Sequence, residues 1–262
     1  MKKILVVLIM SLSISAIAQQ NFNVLHDKNA QLRRVGSFTA IKVSSAIDLY
    51  LSQSDKNEVA VSASEDEIRD RIITEVEGST LIIKMQNSNG WFNWKSWNNV
   101  KTKAYVSIKD INALTASGAS NVHIIGKIES PKLKLHMSGA SDLKDAQLQI
   151  GTLLMDISGA SNIRANIKAT NISIEGSGAS DIELQGSTDD LSLNLSGACH
   201  AKMYKLAAKG ALIDLSGASN ADVNVSDIIR AKTAGASDVN YIGNATIKES
   251  SNSGASKIKH RN

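Results

Sequence analysis

The stretch LLMDISGASNI at residues 153–163 decides the fold of this chain. Apolar and polar residues alternate from Met155 to Ile157, a Ser-Gly-Ala-Ser tetrapeptide follows, and an apolar residue returns at Ile163. Alternation with a period of two is typical of a strand that has one buried face. The stretch therefore predicts a strand, a sharp corner at Gly159 and the start of a second strand.

The same pattern recurs along the C-terminal half of the chain. The tetrapeptide or a close variant appears eight times at steps of 18 to 21 residues, with its glycine at Gly118, Gly139, Gly159, Gly178, Gly197, Gly217, Gly235 and Gly254. Repeats of this period indicate a solenoid, and no segment between the glycines has the helical periodicity of a leucine-rich repeat. We therefore predict an all-β fold, a parallel β-helix with about 19–20 residues per coil. Parallel crossovers are right-handed as a rule, so we expect a right-handed coil.

A polar position follows each corner. Three residues after the glycine, six of the eight copies carry Asn or Asp, namely Asn121, Asp142, Asn162, Asp181, Asn220 and Asp238. These side chains bond to nearby backbone and tolerate left-handed φ, which predicts a structural turn ladder. Their oxygens would also suit Ca²⁺, but Asn dilutes the charge and the nonapeptide Ca²⁺ repeat is absent. The histidines have no metal-ligand spacing either, and we expect neither a metal nor another cofactor.

The rest of the chain divides around this repeat. We expect regular coils over residues 111–258 with a tail at 259–262, and irregular first coils over residues 35–110, which lack the motif but keep strand patterns. Residues 19–34 form a lead segment. Ser-Glu-Asp-Glu at residues 64–67 resembles a capping box, which predicts a short helix near the N-terminal end that covers the open edge of the stack.

The beginning of the chain has the features of an export signal. Residues 1–18 combine two lysines, an apolar run from Ile4 to Ile14 and the pattern Ala16-Ile17-Ala18. This combination predicts a Sec signal peptide, and the apolar run is too short to span a bilayer comfortably. We expect a mature chain without a membrane span, located in the periplasm, on the cell surface or outside the cell.

The net charge bears on the kind of partner. Without Lys2 and Lys3 the formal charge falls from +4 to +2. A nucleic-acid ligand would require a much more basic surface, so we expect none. The sequence does not specify an oligomeric state.

One segment breaks the pattern of the chain. All three tryptophans lie within seven residues, in the sequence Trp91-Phe92-Asn93-Trp94-Lys95-Ser96-Trp97. Trp offers a large rigid face and one polar group, so Trp91, Phe92, Trp94 and Trp97 are candidate ligand-binding residues for sugar rings or a partner protein. Alternatively, these rings fold back onto the first coils as a plug of the aliphatic core.

These features together resemble a known family. The signal peptide, the Phe-x-x-Ile-x-Val-Ser start at Phe38, the Trp-rich insert and the iterated Ser-Gly-Ala-Ser-Asp/Asn are similar to the head GIN domain family of autotransporter adhesins, common in Bacteroidota. The resemblance covers residues 35 to about 258 and implies a right-handed parallel β-helix exported to the cell envelope or beyond.

Three functions remain open. An enzyme acting on polysaccharide would use Asp156 and Glu175, which the register places in one outward column with Asp214 two coils further on. No Arg, Lys or Tyr cluster joins them.

Cys199 and His200 are adjacent in a strand and so point to opposite faces, which excludes a nucleophile and base pair. We therefore expect no enzyme. The favoured interpretation is a non-catalytic binding or adhesion module that contacts a glycan or another surface protein. A purely structural envelope scaffold is the third possibility.

Overall fold

The computed structural model describes residues 27–86 and 101–261. Within these ranges the chain is nearly all β and forms a solenoid of about eight turns with one short helix near the N-terminal end, which confirms the predicted fold. The elements are β1 (Gln31–Arg33), β2 (Ala40–Val43), β3 (Ile47–Gln53), β4 (Glu58–Ala63), α1 (Asp66–Asp70), β5 (Ile72–Glu77), β6 (Thr80–Met85), β7 (Thr102–Ile108), β8 (Ala113–Ala116), β9 (Val122–Ile125), β10 (Lys127–Met137), β11 (Asp142–Ile157), β12 (Asn162–Gly176), β13 (Asp181–Leu195), β14 (His200–Leu215), β15 (Asn220–Thr233), β16 (Asp238–Ile242), β17 (Thr246–Asn252) and β18 (Lys257–His260).

Each regular coil has three faces. In β11, two exposed residues separate buried Leu143 from buried Ala146, and two half-buried residues separate buried Ile150 from buried Leu153. Each break in the alternation turns the chain, and the Ser-Gly-Ala-Ser tetrapeptide makes the third turn. We call the faces first, second and third in chain order after the tetrapeptide.

Neighbouring coils pair in parallel and in register. Strands β10 to β15 each pair with the next one, which aligns equivalent residues of successive coils in columns along the solenoid axis. Differences in coil length are absorbed by local shifts in register, as between Met203 and Ala207 where β14 meets β15. The columns therefore stay aligned although the sequence steps vary.

The N-terminal coils do not follow chain order. On one side β2 lies between β6 and β8, and on the other β3 lies between β7 and β9. Beyond them, β4 pairs antiparallel with β7, β5 with β6, and β1 with β4. Antiparallel strands thus end the parallel stack here.

Helix α1 joins β4 to β5 at the same end. The helix is confirmed, but the predicted capping box is wrong: Glu65 occupies the N-cap position and makes no side-chain capping bond. The helix has five residues and buries Ile68, and Arg69 donates to Asp66 over 2.6 Å. Packing of Ile68 under so short a segment, rather than a cap, holds the helix in place.

The interior is one continuous aliphatic core from Phe38 to Val239. At the C-terminal end all residues of β17 are exposed, and Asn252 and Ser256 bond to the hydroxyl of Thr233. The last coil therefore covers the core with polar groups, as a solenoid end requires. No helix in the described ranges is long and apolar enough to cross a membrane.

Candidate functional site

The second serine of the repeated corner lies inside the solenoid. The second serine of the motif is buried in the described copies from Ser120 to Ser237, and Ser161 donates to the carbonyl oxygen of Ser158 over 3.0 Å. Cys199 takes the same position, 1% exposed, with its Sγ 3.2 Å from the carbonyl oxygen of Ser196. These groups close the corner and are out of reach of a substrate.

His200 does not act on Cys199. The cysteine side chain is buried, whereas the histidine points outward with its Nε2 3.6 Å from Asp222 Oδ2. Since the two side chains lie on opposite faces of the strand, they form no catalytic pair.

The six Asn and Asp residues after the corners lie in one column on the first face. The register continues this column through Asp48 at one end and through His200 and Lys257 toward the other. Asn162 Nδ2 donates to Asp142 Oδ1 over 2.9 Å, and Asn121 Nδ2 donates to Asp48 Oδ1 over 2.8 Å. Asn and Asp alternate at this end of the column, so amide donors separate the carboxylates. Sequence reasoning missed Asp48 because no glycine motif precedes it.

The charge of Asp142 is stabilised by its neighbours. Burial alone would raise the pKa of Asp142, but hydrogen bonds from Lys144 and Asn162 outweigh burial and hold the pKa below its usual value. No group of three or more His, Cys, Asp or Glu side chains within residues 27–86 and 101–261 is placed to hold a metal ion.

The carboxylate column of the third face is exposed. Asp156 lies beside Glu175 in register, and Asp214 follows two coils further on. His136 Nδ1 lies 2.9 Å from Asp156 Oδ2, and their side chains are 42% and 62% exposed. Exposed pairs of this kind contribute little energy.

Trp91, Phe92, Trp94 and Trp97 lie outside the described residues, as does the predicted signal peptide at 1–18. The tryptophan segment connects β6 to β7, and the structure describes these two strands. At the N-terminal end, β6 pairs with β2 and β7 pairs with β3.

Near this end, rings form a stack on the first face. Tyr50 lies 5.2 Å from Tyr105 and 4.8 Å from His123, measured between ring centroids. Tyr105 donates to Asp27 Oδ2 over 2.7 Å. Burial is the main cause that raises the pKa of the Tyr105 phenol, and this hydrogen bond is the second. Because stacked rings cover one another's faces, the stack offers edges rather than a flat platform.

A groove of about 830 Å³ runs along the corner between the second and third faces. We call it the corner groove. One bank is an outward column of the second face, formed by Glu129, Gln149, Lys168, Ser187, Ala207 and Asn224. The other bank begins the third face, with Pro131, Gly151, Thr170, Asp189, Lys209 and Ser226.

The floor of the corner groove is narrow, and its side chains pack or hydrogen-bond within the fold. Its buried positions include Ile150 and Thr188, and the Thr188 hydroxyl donates within the corner to the carbonyl oxygens of Thr170 and Asp190. Two smaller depressions, of about 340 and 500 Å³, continue the groove toward the N-terminal end through Asp110. Ligand contacts must therefore come from the banks.

Sequence reasoning missed the corner groove. Each coil contributes one residue to each bank, and those residues differ in type from coil to coil, so no motif marks the site. The sequence does carry one signal, the break in alternation between Ile150 and Leu153. In the next coil two polar residues make the same break, between half-buried Ala169 and buried Ile172.

Comparisons with known proteins agree on the fold. Residues 37–245 match the family described as "Putative auto-transporter adhesin, head GIN domain". The solved structure of a putative lipid binding protein from Parabacteroides distasonis aligns with a TM-score of 0.79 and 23% identity, covering 90% of this chain and 98% of that one. A putative adhesin from Parabacteroides merdae aligns with a TM-score of 0.78 and 17% identity, covering 89% and 95%. Among curated protein sequences, none matches the chain.

Proposed function

This chain belongs to the head GIN domain family, and from that premise we propose that it is an exported, non-catalytic binding module that contacts a glycan or another surface protein. The corner groove is the observation that carries the proposal. It crosses six successive strands, β10 to β15, and so offers a long, open surface suited to an extended ligand.

The chemistry of the surface supports binding rather than catalysis. The exposed carboxylates of Asp156 and Glu175 stand on a flat face, away from the corner groove. Ser161 and Cys199, both buried, bond to carbonyl groups of their own corners. A general acid or a nucleophile would require a site in which such groups converge around a reacting atom.

The tryptophan segment is proposed as a second contact. Trp91, Trp94 and Trp97 connect strands at the N-terminal end of the solenoid, and exposed Trp faces suit sugar rings. This contact is independent of the corner groove, which no described aromatic residue lines.

Export through the predicted signal is part of the proposal. Mature protein recovered from the envelope or medium of an expressing bacterium should begin at Gln19, as determined by N-terminal sequencing. Protein that retains residues 1–18 would argue against a cleaved signal peptide.

A binding experiment tests the function itself. The mature chain is applied to a glycan array and to a panel of purified surface proteins, alongside a variant with Trp91→Ala, Trp94→Ala and Trp97→Ala and another with Asp156→Asn and Glu175→Gln. We expect binding to at least one partner, weakened by the tryptophan changes and unchanged by the carboxylate changes. A folded chain that binds nothing would favour a structural scaffold, and glycan cleavage abolished by the carboxylate changes would favour an enzyme.

A further inference from the structure

Resting on the proposed function, we infer that the corner groove binds a neutral, linear glycan through hydrogen bonds to its two banks. The length of the groove suits an oligosaccharide. Coils stack at about 4.8 Å, so a groove that crosses six of them extends about 24 Å. A pyranose unit in an extended chain is similar in length to this coil spacing. On the order of five sugar units can therefore lie along the groove with each opposite one coil.

The corner groove offers an extended peptide no free strand edge. A peptide that binds a β-protein in extended form usually adds a strand to a free sheet edge. The strands that line the corner groove instead run across it, and their backbone groups pair with the coils above and below. Recognition by the banks therefore depends on side chains and not on backbone hydrogen bonds.

Acidic and basic side chains balance on the banks of the groove. The banks carry Glu129 and Asp189 as well as Lys168 and Lys209, and Lys209 Nζ lies 2.7 Å from Asp189 Oδ1. A polyanion would meet the carboxylates of Glu129 and Asp189, and a polycation would meet the two lysines. A neutral polymer meets no net repulsion.

Three polar side chains on the banks have no partner within the described part of the protein. Within the described part of the chain, the side chains of Lys168, Thr170 and Ser187 make no hydrogen bond or ion pair, although all three face the groove. Sugar hydroxyls both donate and accept, so they match ammonium and hydroxyl groups alike. Small residues beside them, such as Gly151 and Ala207, leave room for a ring to approach the banks.

A lipid fits this surface less well. An acyl chain requires an enclosed apolar channel, whereas exposed polar residues such as Gln149 and Lys168 form the bank of this open groove.

Isothermal titration of the mature chain with neutral oligosaccharides of two to eight units, from cellulose, mannan and xylan, tests the inference. Oligogalacturonate and phosphatidylcholine vesicles serve as charged and lipid probes. Affinity for one neutral series should rise with length and level off at about five units. Gln149→Ala, Lys168→Ala and Ser187→Ala, combined in one variant, should weaken binding at least about tenfold.

Two further variants sharpen the test. Ala207→Trp keeps the polar groups but fills the groove, and it should weaken binding at least as much as the triple alanine variant. The matched control combines Asp156→Ala, Glu175→Ala and Asn194→Ala, which lie on the third face of the same three coils as the polar triple, and it should bind like wild type. Circular dichroism confirms that each variant is folded.

The outcomes separate this inference from the function on which it rests. Glycan binding that survives both groove variants but disappears with the three tryptophan substitutions would overturn the groove assignment and leave the binding function intact. Preference for oligogalacturonate or for vesicles would overturn the neutral glycan. A folded chain that binds no glycan and no surface protein would overturn both proposals.

Discussion

At the corner of each coil, two requirements coincide on one residue. Gly159 has φ +75°, and a Cβ added to it would lie 2.4 Å from the carbonyl oxygen of Gly139 in the preceding coil. The left-handed backbone excludes most side chains, and the close stacking excludes even a methyl group. The backbone N–H of Ala160 donates to that same Gly139 oxygen over 2.8 Å, so the corner column has its own ladder of hydrogen bonds.

A pair of glycine variants separates the two requirements. Gly126 has φ +77° but nothing within 4 Å of an added Cβ. Gly126→Ala should therefore lower the free energy of unfolding by about 1–2 kcal/mol, the cost of the left-handed backbone. Gly159→Ala should cost about 1–3 kcal/mol more, because neighbouring coils must move apart. Urea denaturation measures both, and equal losses would contradict the stacking argument.

Cys199 provides a test of the buried serine position. Cys199→Ser restores the hydroxyl found in the other corners and should change the free energy of unfolding by less than about 1 kcal/mol, with binding unaltered. Cys199→Val removes the contact to the carbonyl oxygen of Ser196 and should be less stable than Cys199→Ser. Loss of function in the serine variant would instead give the thiol a chemical role.

At the scale of elements, the first face shows how stacked strands tolerate charge. Equivalent residues of neighbouring coils are only about 4.8 Å apart, where like charges repel. The alternation of Asp142, Asn162 and Asp181 places an amide between two carboxylates, and the amide of Asn162 bonds to Asp142. Burial would raise the pKa of Asp142, but the hydrogen bond from Lys144 and then the one from Asn162 lower it. The resulting stabilisation is present above pH 3.8 and is lost as the pH falls through the folded value.

Two substitutions at one position test this account. Asn162→Ala removes the hydrogen bond to Asp142 and should cost about 1 kcal/mol at neutral pH. Asn162→Asp removes the same bond and adds a carboxylate between two others, so it should be less stable than Asn162→Ala. Repulsion raises the folded pKa of the introduced carboxyl. The extra loss of stability relative to Asn162→Ala should therefore be largest at neutral pH and disappear as the carboxyls are protonated. Thermal melts across pH 3 to 7 measure it, and an extra cost that does not change with pH would contradict the electrostatic explanation.

At the scale of the whole molecule, stability comes from a continuous core with closed ends. The single cysteine is free, so no disulfide contributes. Aliphatic side chains fill the interior of the described coils, antiparallel strands cover one end, and the polar coil of β17 and β18 covers the other. Burial of apolar area is the main favourable term in such a stack.

A melting experiment checks that no ion is part of the fold. The melting temperature of the mature chain should be the same in EDTA and in millimolar CaCl₂. An ion bound only by the folded chain would stabilise it by about 2.7 kcal/mol at one hundred times its Kd. A higher melting temperature in CaCl₂ would therefore assign a Ca²⁺ site to the Asn and Asp column.

The sequence by itself determined the repeating unit. The spacing of the Ser-Gly-Ala-Ser corners gave the coil, and the alternation around them, as in Met155-Asp156-Ile157, gave which residues are buried. Both are local properties of strands and turns, so they can be predicted without knowing which strands pair with each other.

Only the tertiary structure decided the rest. The insertion of β2 between β6 and β8 depends on pairing between distant segments, which periodicity does not specify. The corner groove could not be predicted from the sequence either, because Gln149, Lys168 and Ser187 belong to different repeats and share no residue type. Stacking in register at about 4.8 Å per coil is what turns these unrelated residues into one bank of a single site.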